Sequence, residues 1–459
     1  MSNNEILRTE SIGKLLLKFS IPAIVGMMVS ALYNVVDRIY IGKIGPLAMT
    51  GIGLSLPFMF LLMAFGMLIG IGAGSRISIR LGQNRKEDAE KILGNSLVLL
   101  ILIMGTVATI GLIFKIPILS LFGASKATIG YADKYLTIIL LGAIFQGVGF
   151  GLNNIVRAEG SPKIAMYTML LGAIINIILD PIFIFVFKMG ISGAALATIL
   201  SQLTTSIWVL YHFTYGKSKL KLKKKNLRLD FEIFISIITI GLSPFFIQLA
   251  ASIVTAISNT ALKTNGGDIA ISAMTAINAI AIFFLMPIFG INQGSQPIIG
   301  YNYGAKEFDR VKKALKYAIL AATSISILGF ILVEFLSAPL ILIFNNDPEL
   351  ISMATRGMRI YLSMLPFIGF QIISANYFQA VGKAGKSIFL SLLRQVIVLI
   401  PMLFILPRLL GLTGVWMAGP VSDLTASILT AIFLFIEIKH LDSSALIKKQ
   451  EELLIASTS

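Results

Sequence analysis

The feature that most restricts this chain is a nearly unbroken succession of apolar runs, each about 20 residues long and divided from the next by a short interval rich in charge or turn residues. A run of that length matches the hydrocarbon thickness of a bilayer, and no interval is large enough to be a soluble domain. Hydrophobic residues make up 56% of the 459 and charged residues 13%, which excludes an ordinary soluble globule. The predicted class is an all-α polytopic membrane protein.

Twelve spans are predicted. Those of the first half lie at 15–37, 52–75, 93–114, 135–153, 165–187 and 193–214. Those of the second half lie at 233–259, 271–296, 317–336, 357–378, 388–407 and 414–437. The first follows Lys14 and Lys18 but lacks a short apolar core with a small-residue cleavage site, so it reads as a retained span and not a removed leader.

Basic residues number 38 against 22 acidic ones, a net charge of +16. With a cytoplasmic amino terminus, the inner intervals hold 27 Lys and Arg and the outer ones 9, which predicts both termini in the cytoplasm. Seven of the inner ones lie between Lys217 and Arg228. That cluster reads as a topology-fixing linker beneath an anionic leaflet, with membrane lipids and no nucleic acid as partners.

An internal repeat divides the chain at this linker. Ile21-Pro22 answers Ser243-Pro244, and Gly70-Ile71-Gly72-Ala73-Gly74-Ser75 answers Gly290-Ile291-Asn292-Gln293-Gly294-Ser295. Glu159-Gly160 answers Val381-Gly382, and Gly190-Ile191-Ser192-Gly193 answers Gly411-Leu412-Thr413-Gly414. The offsets are 222, 220, 222 and 221, so the matches share one register. They predict two tandem six-helix lobes around a central cleft: residues 1–214 and 233–437, a linker at 215–232 and a cytoplasmic tail at 438–459. Gly66, Gly70 and Gly74 form a small-residue stripe for close helix packing. Pro22, Pro244, Pro287 and Pro366 each remove a backbone donor within a predicted span and mark kinks.

Chemistry is sparse. There is no cysteine and only two histidines, His212 and His440, so disulfides and thiol catalysis are excluded and little remains for a metal site. Gly216-Lys217-Ser218 and Gly385-Lys386-Ser387 mimic the end of a phosphate-binding loop, but the glycine required five positions earlier is Tyr211 or Ala380. No cofactor is predicted, and an ion gradient is the expected energy source. Asp37, Asp180, Glu334 and Asp423 fall in or at the ends of spans, where an ionised carboxylate is costly unless paired or hydrated. Asn176 precedes Asp180 by four residues and Tyr33 precedes Asp37 by four, which places each pair on one helix face. Two such carboxylates could hold a proton or ligate a small cation through hard oxygens. Two structural alternatives stay open: an interfacial Asp37–Arg38 ion pair, and a helix break at Asp180-Pro181. Glu334 reads as interfacial. Arg394 and Asp423 suit a pair that is either structural or part of a gate.

Several of these segments together resemble the multidrug and toxic compound extrusion family, in its bacterial and archaeal multidrug and DinF-like branches. They are Ile21-Pro22 leading to Asp37, Gly82-Gln83, Arg157-Ala158-Glu159-Gly160, and above all Asn176-Ile177-Ile178-Leu179-Asp180-Pro181 followed by Gly190-Ile191-Ser192-Gly193-Ala194-Ala195 and Thr198. The resemblance extends over nearly all of residues 10–440. It implies a monomeric, multi-pass antiporter of a bacterial or archaeal cell membrane that exports amphipathic, cationic small molecules in exchange for H+ or Na+. It also implies a coupling group of Asp37, Asn176, Asp180 and Thr198, which would be the metal ligands if sodium is the coupling ion, with Tyr33 and Asn153 in the adjoining polar network. Some sodium-coupled relatives use acids in spans seven and ten, and this chain has none there. A flippase for a lipid-linked precursor and an ion channel are the competing readings. The first needs cations facing a cavity, and the second needs uncoupled conductance.

Overall fold

A computed structural model describes residues 7–458 except Gly45, Phe122, Gly123, Ser125, Ala127 and 344–346. Among the described residues the regular structure is entirely helical. The first half comprises α1 (Ile12–Gly42), α2 (Pro46–Gly82), α3 (Lys86–Leu121), α4 (Ile129–Leu141), α5 (Ala143–Ala158), α6 (Pro162–Pro181) and α7 (Ile191–Thr214). A π-helical turn, Ile182–Val186, extends α6. After the linker come α8 (Phe231–Gly267) and α9 (Ile269–Gly304), parted by non-helical backbone at Gly267. They are followed by α10 (Phe308–Leu342), α11 (Pro348–Tyr361), α12 (Leu365–Ala380), α13 (Ala384–Leu392), α14 (Leu399–Leu410) and α15 (Leu412–Thr458). A second π-helical segment, Leu393–Val398, joins α13 to α14.

Eight of these helices, α6 with its π turn, and α13 to α14 taken as one continuous segment give ten spans long and apolar enough to cross a bilayer, and counting each of the bent pairs α4–α5 (55°) and α11–α12 (48°) as one span gives twelve. The chain is thus a polytopic helical membrane protein. The predicted windows 135–153 and 357–378 run straight through both bends, because hydropathy is blind to direction. At the first bend, a Cβ on Gly142 would lie 2.5 Å from the Ile199 side chain, so glycine is what lets α7 approach the break. At the second, Pro366 sits in the first turn of α12, where its missing N–H is no loss. It starts a helix there instead of kinking one.

The tandem repeat returns in the backbone. Asn84 and Lys306 have φ of 59° and 57°, Gly160 and Gly382 of 97° and 79°, and Gly190 and Gly411 both of 56°. The first two pairs close helices with matching hydrogen bonds. Arg85 N donates to Arg80 O and Asn84 N to Leu81 O, at 2.9 and 3.1 Å; Glu307 N and Lys306 N repeat this onto Asn302 O and Tyr303 O, also at 2.9 and 3.1 Å. Ser161 and Gly160 pair with Val156 and Arg157 as Lys383 and Gly382 pair with Phe378 and Gln379. In the Gly-x-x-Gly segments the second glycine also has a matched task. A Cβ on Gly193 would meet Phe183 C at 2.7 Å, and one on Gly414 would meet Leu406 O at 2.1 Å.

By packing, the chain forms two compact units, one of residues 25–249 and one of residues 1–24 with 250–459. The six-helix lobes group the same chain by span order. α1 and α8 each contribute to both units. Within the first unit, the predicted stripe of Gly66, Gly70 and Gly74 faces Phe150, Gly151 and Ala158 of α5. A second close crossing joins α2 to α8, where a Cβ on Gly72 would lie 2.2 Å from Ile237 O and one on Gly241 would lie 1.8 Å from Leu68 O. Within the other unit, Gly290 and Gly294 of α9 accept the backbone of Ile24 and Ser20 of α1. Lipid supplies no hydrophobic drive between helices, so such contacts carry the packing energy.

Gly241→Ala should therefore lower stability by about 1–3 kcal/mol, because backbone and not a flexible side chain occupies the space. Gly53→Ala, with open space around it, should leave stability unchanged. Thermal unfolding of both variants in one detergent checks this pair.

Candidate coupling site

The C-terminal end of α1 and the π turn that extends α6 are held together by aromatic packing: Tyr40 meets Phe185 edge-on, with ring centroids 6.3 Å apart. Tyr40 lies three residues after Asp37, and Phe185 five after Asp180. The contact brings the two acids toward each other, and their carboxyls lie within hydrogen-bonding reach. A hydrogen bond between two carboxyl groups requires a shared proton, and two bare carboxylates at this range repel. Farther along the same helix pair, a Cβ on Gly26 would lie 2.8 Å from Met169 Sδ, so a glycine again permits the approach.

Asp180 and Asn176 are fully buried on α6, and the Asn176 amide donates to Asp180 Oδ1 at 3.5 Å. Asp180 Oδ2 and Asn176 Oδ1 are buried without a hydrogen-bond partner among the described residues. Backbone does not break at Asp180-Pro181; the helix runs on as the π turn. The Gly193 contact sets α7 against that turn, which fixes Thr198 one and a half turns farther along α7. Thr198 Oγ1 donates to Ala194 O at 3.0 Å, so its lone pairs are still available as acceptors.

Asn153 is buried on α5, which packs against both α6 and α7, and its Oδ1 also has no hydrogen-bond partner among the described residues. Tyr33 sits half-buried on α1, one turn before Asp37. The Arg38 side chain, invoked for the interfacial alternative, lies outside the described residues. Two glutamines of the same unit that the sequence does not single out share this feature: Gln146 on α5 and Gln202 on α7 each have a buried Oε1 lacking a hydrogen-bond partner among the described residues. Gln202 follows Thr198 by four residues, so helical spacing alone would have found it. Nothing comparable marks Gln146.

The remaining sequence candidates lie in the other unit. Arg394 Nε reaches Asp423 Oδ1 at 2.5 Å, and Ser422 Oγ donates to Arg394 O at 2.5 Å. Arg394 stands on the Leu393–Val398 π segment, and Asp423 is buried on α15. Glu334 is half exposed, 4.0 Å from Arg359 Nε, and its carbonyl accepts from Arg359 Nη2 at 3.0 Å. The pair is partly exposed on both sides.

Chemically, the first-unit site is two carboxyls within hydrogen-bonding reach with the Asn176 amide on Asp180, carried on helices long and apolar enough to cross a membrane. It lacks a nucleophile and base arrangement and suits reversible binding of a proton or a hard cation. Such an arrangement on a polytopic helical protein fits the class of secondary transporters.

Two segments, residues 22–182 and 244–405, match the family model MatE, and the chain belongs to that family of secondary transporters. Secondary active multidrug efflux, run on ion gradients, is the activity this membership carries. The chain is 30% identical over 407 residues to the multidrug export protein MepA of Staphylococcus saprophyticus, covering 88% of this chain and 89% of that one. It is 40% identical to the MATE multidrug transporter DinF-BH, whose structure was solved as a complex, with a TM-score of 0.87 and coverage of 93% and 96%. A MOP superfamily transporter from Pyrococcus furiosus is similar at TM-score 0.91 and 26% identity, covering 96% of this chain and 99% of that one; its reversed pocket polarity suggests a different function for that protein.

Breaking the second-unit pair separates its roles. Asp423→Asn, which strands the Arg394 guanidinium, should cost about 3 kcal/mol, while Arg394→Met with Asp423→Leu should restore most of it. Thermal unfolding measures the stability. A transport assay of the restored double variant shows whether the pair also gates.

Proposed function

We propose that this protein exports amphipathic organic cations in exchange for H+ or Na+, with Asp37 and Asp180 as the coupling acids. The carboxyl of buried Asp180 and that of half-buried Asp37, within hydrogen-bonding reach of each other, carry this reading. In the membrane their repulsion is relieved only by an incoming positive charge. A proton would sit between them. A sodium ion would instead draw on Asp37, Asp180, Asn176 and Thr198 as hard oxygen ligands. Tyr33 and Asn153 extend the polar network around either ion.

The exchange follows from competition for the same negative charge. With the acids ionised, an organic cation is attracted, and aromatic faces add apolar and cation-π contacts. When the site opens outward, a coupling ion neutralises the acids and weakens that attraction, so the drug leaves. The ion-loaded, drug-free carrier then turns inward, releases the ion and starts again. In this reading two six-helix lobes alternate access, both termini lie in the cytoplasm of a bacterial or archaeal cell, the protein acts as a monomer, and the Arg394–Asp423 pair serves as a second-lobe gate. The pairing of Arg394 with Asp423 also weighs against a lipid-precursor flippase, since that guanidinium is already committed to a carboxylate.

Proteoliposomes loaded with organic cations, under separately imposed pH and sodium gradients, test the reading. Gradient-driven transport should fall by about tenfold or more in Asp37→Asn and in Asp180→Asn. A response to pH alone selects proton exchange, and a response to sodium at fixed pH selects sodium exchange. Unchanged transport in both variants would reject the coupling roles.

A further inference from the structure

The basic interval between α7 and α8 is fastened along its whole length. Glu159, buried at the end of α5, accepts the Ser218 hydroxyl on Oε2, and its Oε1 lies 2.5 Å from His212 Nε2. Leu222 N donates to Phe213 O at 3.1 Å, and Lys221 N donates to Glu90 Oε1 at 3.2 Å. The Lys223 ammonium pairs with Glu90 Oε2, a hydrogen bond that holds Lys223 above the ordinary lysine pKa. Farther on, the Asn226 carbonyl stands 2.3 Å from where a Cβ on Gly94 would be, and Asp230 N donates to Asn95 Oδ1 at 2.7 Å. All these partners belong to the first unit.

This fastening sorts the cations by task. Lys221 Nζ donates to Gly216 O at 2.6 Å, and Lys223 is held by Glu90, so both are structural. Lys217, Lys224, Lys225 and Arg228 are exposed, and none of the ion pairs among the described residues involves them. Bulky apolar side chains flank them at both ends of the strap and are exposed as well: Tyr215 at 84% before Lys217, and Leu229 at 51% and Phe231 at 75% after Arg228. Such a cluster of large apolar side chains beside cations suits a lipid boundary better than water. The two ends of the strap continue directly into membrane spans, so it stands at the bilayer boundary.

We propose that this strap is a binding surface for the phosphate headgroups of anionic phospholipids in the adjoining leaflet. Lys217, Lys224, Lys225 and Arg228 contact the phosphates, and the flanking Tyr215, Leu229 and Phe231 enter the acyl boundary. The positive-inside asymmetry puts this face in the cytoplasmic leaflet. A nucleic acid would match the charge but would leave the apolar side chains in water, and a free phosphate would ignore them. The inference stands apart from the transport reading, because it concerns lipid affinity and not ion exchange.

The protein carries its own reporter: Trp208 on α7 is 38% exposed near the strap, whereas Trp416, the other tryptophan, is buried. The full chain is reconstituted in phosphatidylcholine vesicles containing either brominated phosphatidylglycerol or brominated phosphatidylcholine, and tryptophan quenching gives the relative affinity. Brominated phosphatidylglycerol should quench more strongly. The preference should fall by about tenfold or more when Lys217, Lys224, Lys225 and Arg228 are all changed to Gln, and persist when the three lysines become Arg. It should also weaken with salt, as the screening length shrinks from about 10 Å at 0.1 M to about 3 Å at 1 M. The salt series uses the unaltered chain, so it decides even where the quadruple variant does not fold. Equal quenching by the two lipids, a preference unmoved by the quadruple change or by salt, or its displacement by free glycerol phosphate or an oligonucleotide would overturn the proposal.

Discussion

Hydrocarbon offers no hydrogen bonds, so every polar group carried into the bilayer must find its partner inside the protein, remain attached to water, or be held at a cost that function justifies. The backbone meets this demand by staying helical through twelve crossings. Side chains meet it in graded ways. Serines and threonines throughout the spans turn back onto the preceding carbonyl, as Thr106, Thr168 and Thr275 do. Arg394 and Asp423 satisfy each other. Asp180, Asn176 and Asn153 keep buried oxygens that no donor among the described residues serves. Unserved buried oxygens also occur in the other unit, at Gln293, Thr323, Ser326 and Ser374, so what distinguishes the first-unit set is that it includes a carboxyl oxygen of Asp180.

The same constraint explains what was legible in the sequence. Span number and class are written in hydropathy, since lipid fixes the length and polarity of each run. Asp37 and Asp180 stood out because charge at membrane depth is rare enough to be conspicuous. The offset between Gly190 and Gly411 announced a repeat, and both glycines hold the same positive φ. Direction was not legible. The bends at Gly142 and before Pro366 depend on what packs against the break, and a hydropathy window averages over that. Nor could composition say that α1 and α8 would each serve two packing units, because the contacts of Gly241 with Leu68 and of Gly290 with Ile24 join residues far apart in the chain. Gln146 was missed for a related reason, since one amide in an apolar helix reads the same whether it faces lipid, a neighbour or water.

The two halves share their backbone devices but not their chemistry. Both use a helix-ending turn with a left-handed residue after the second and fourth crossings, and both seat the second glycine of Gly-x-x-Gly against a carbonyl or peptide of the preceding segment. Where the first half carries Asp180 before Pro181, the corresponding position before Pro401 is Ile400. The first half turns into a π segment after its proline, while the second reaches its π segment earlier, at Arg394. One scaffold thus carries two neighbouring acids in one copy and an arginine–aspartate pair in the other. A coupling ion needs a site that can be left empty at tolerable cost, and two acids that can share a proton meet that need better than an arginine locked to its aspartate. The asymmetry gives a physical reason to expect ion exchange at the paired acids of the first copy and not at the ion pair of the second.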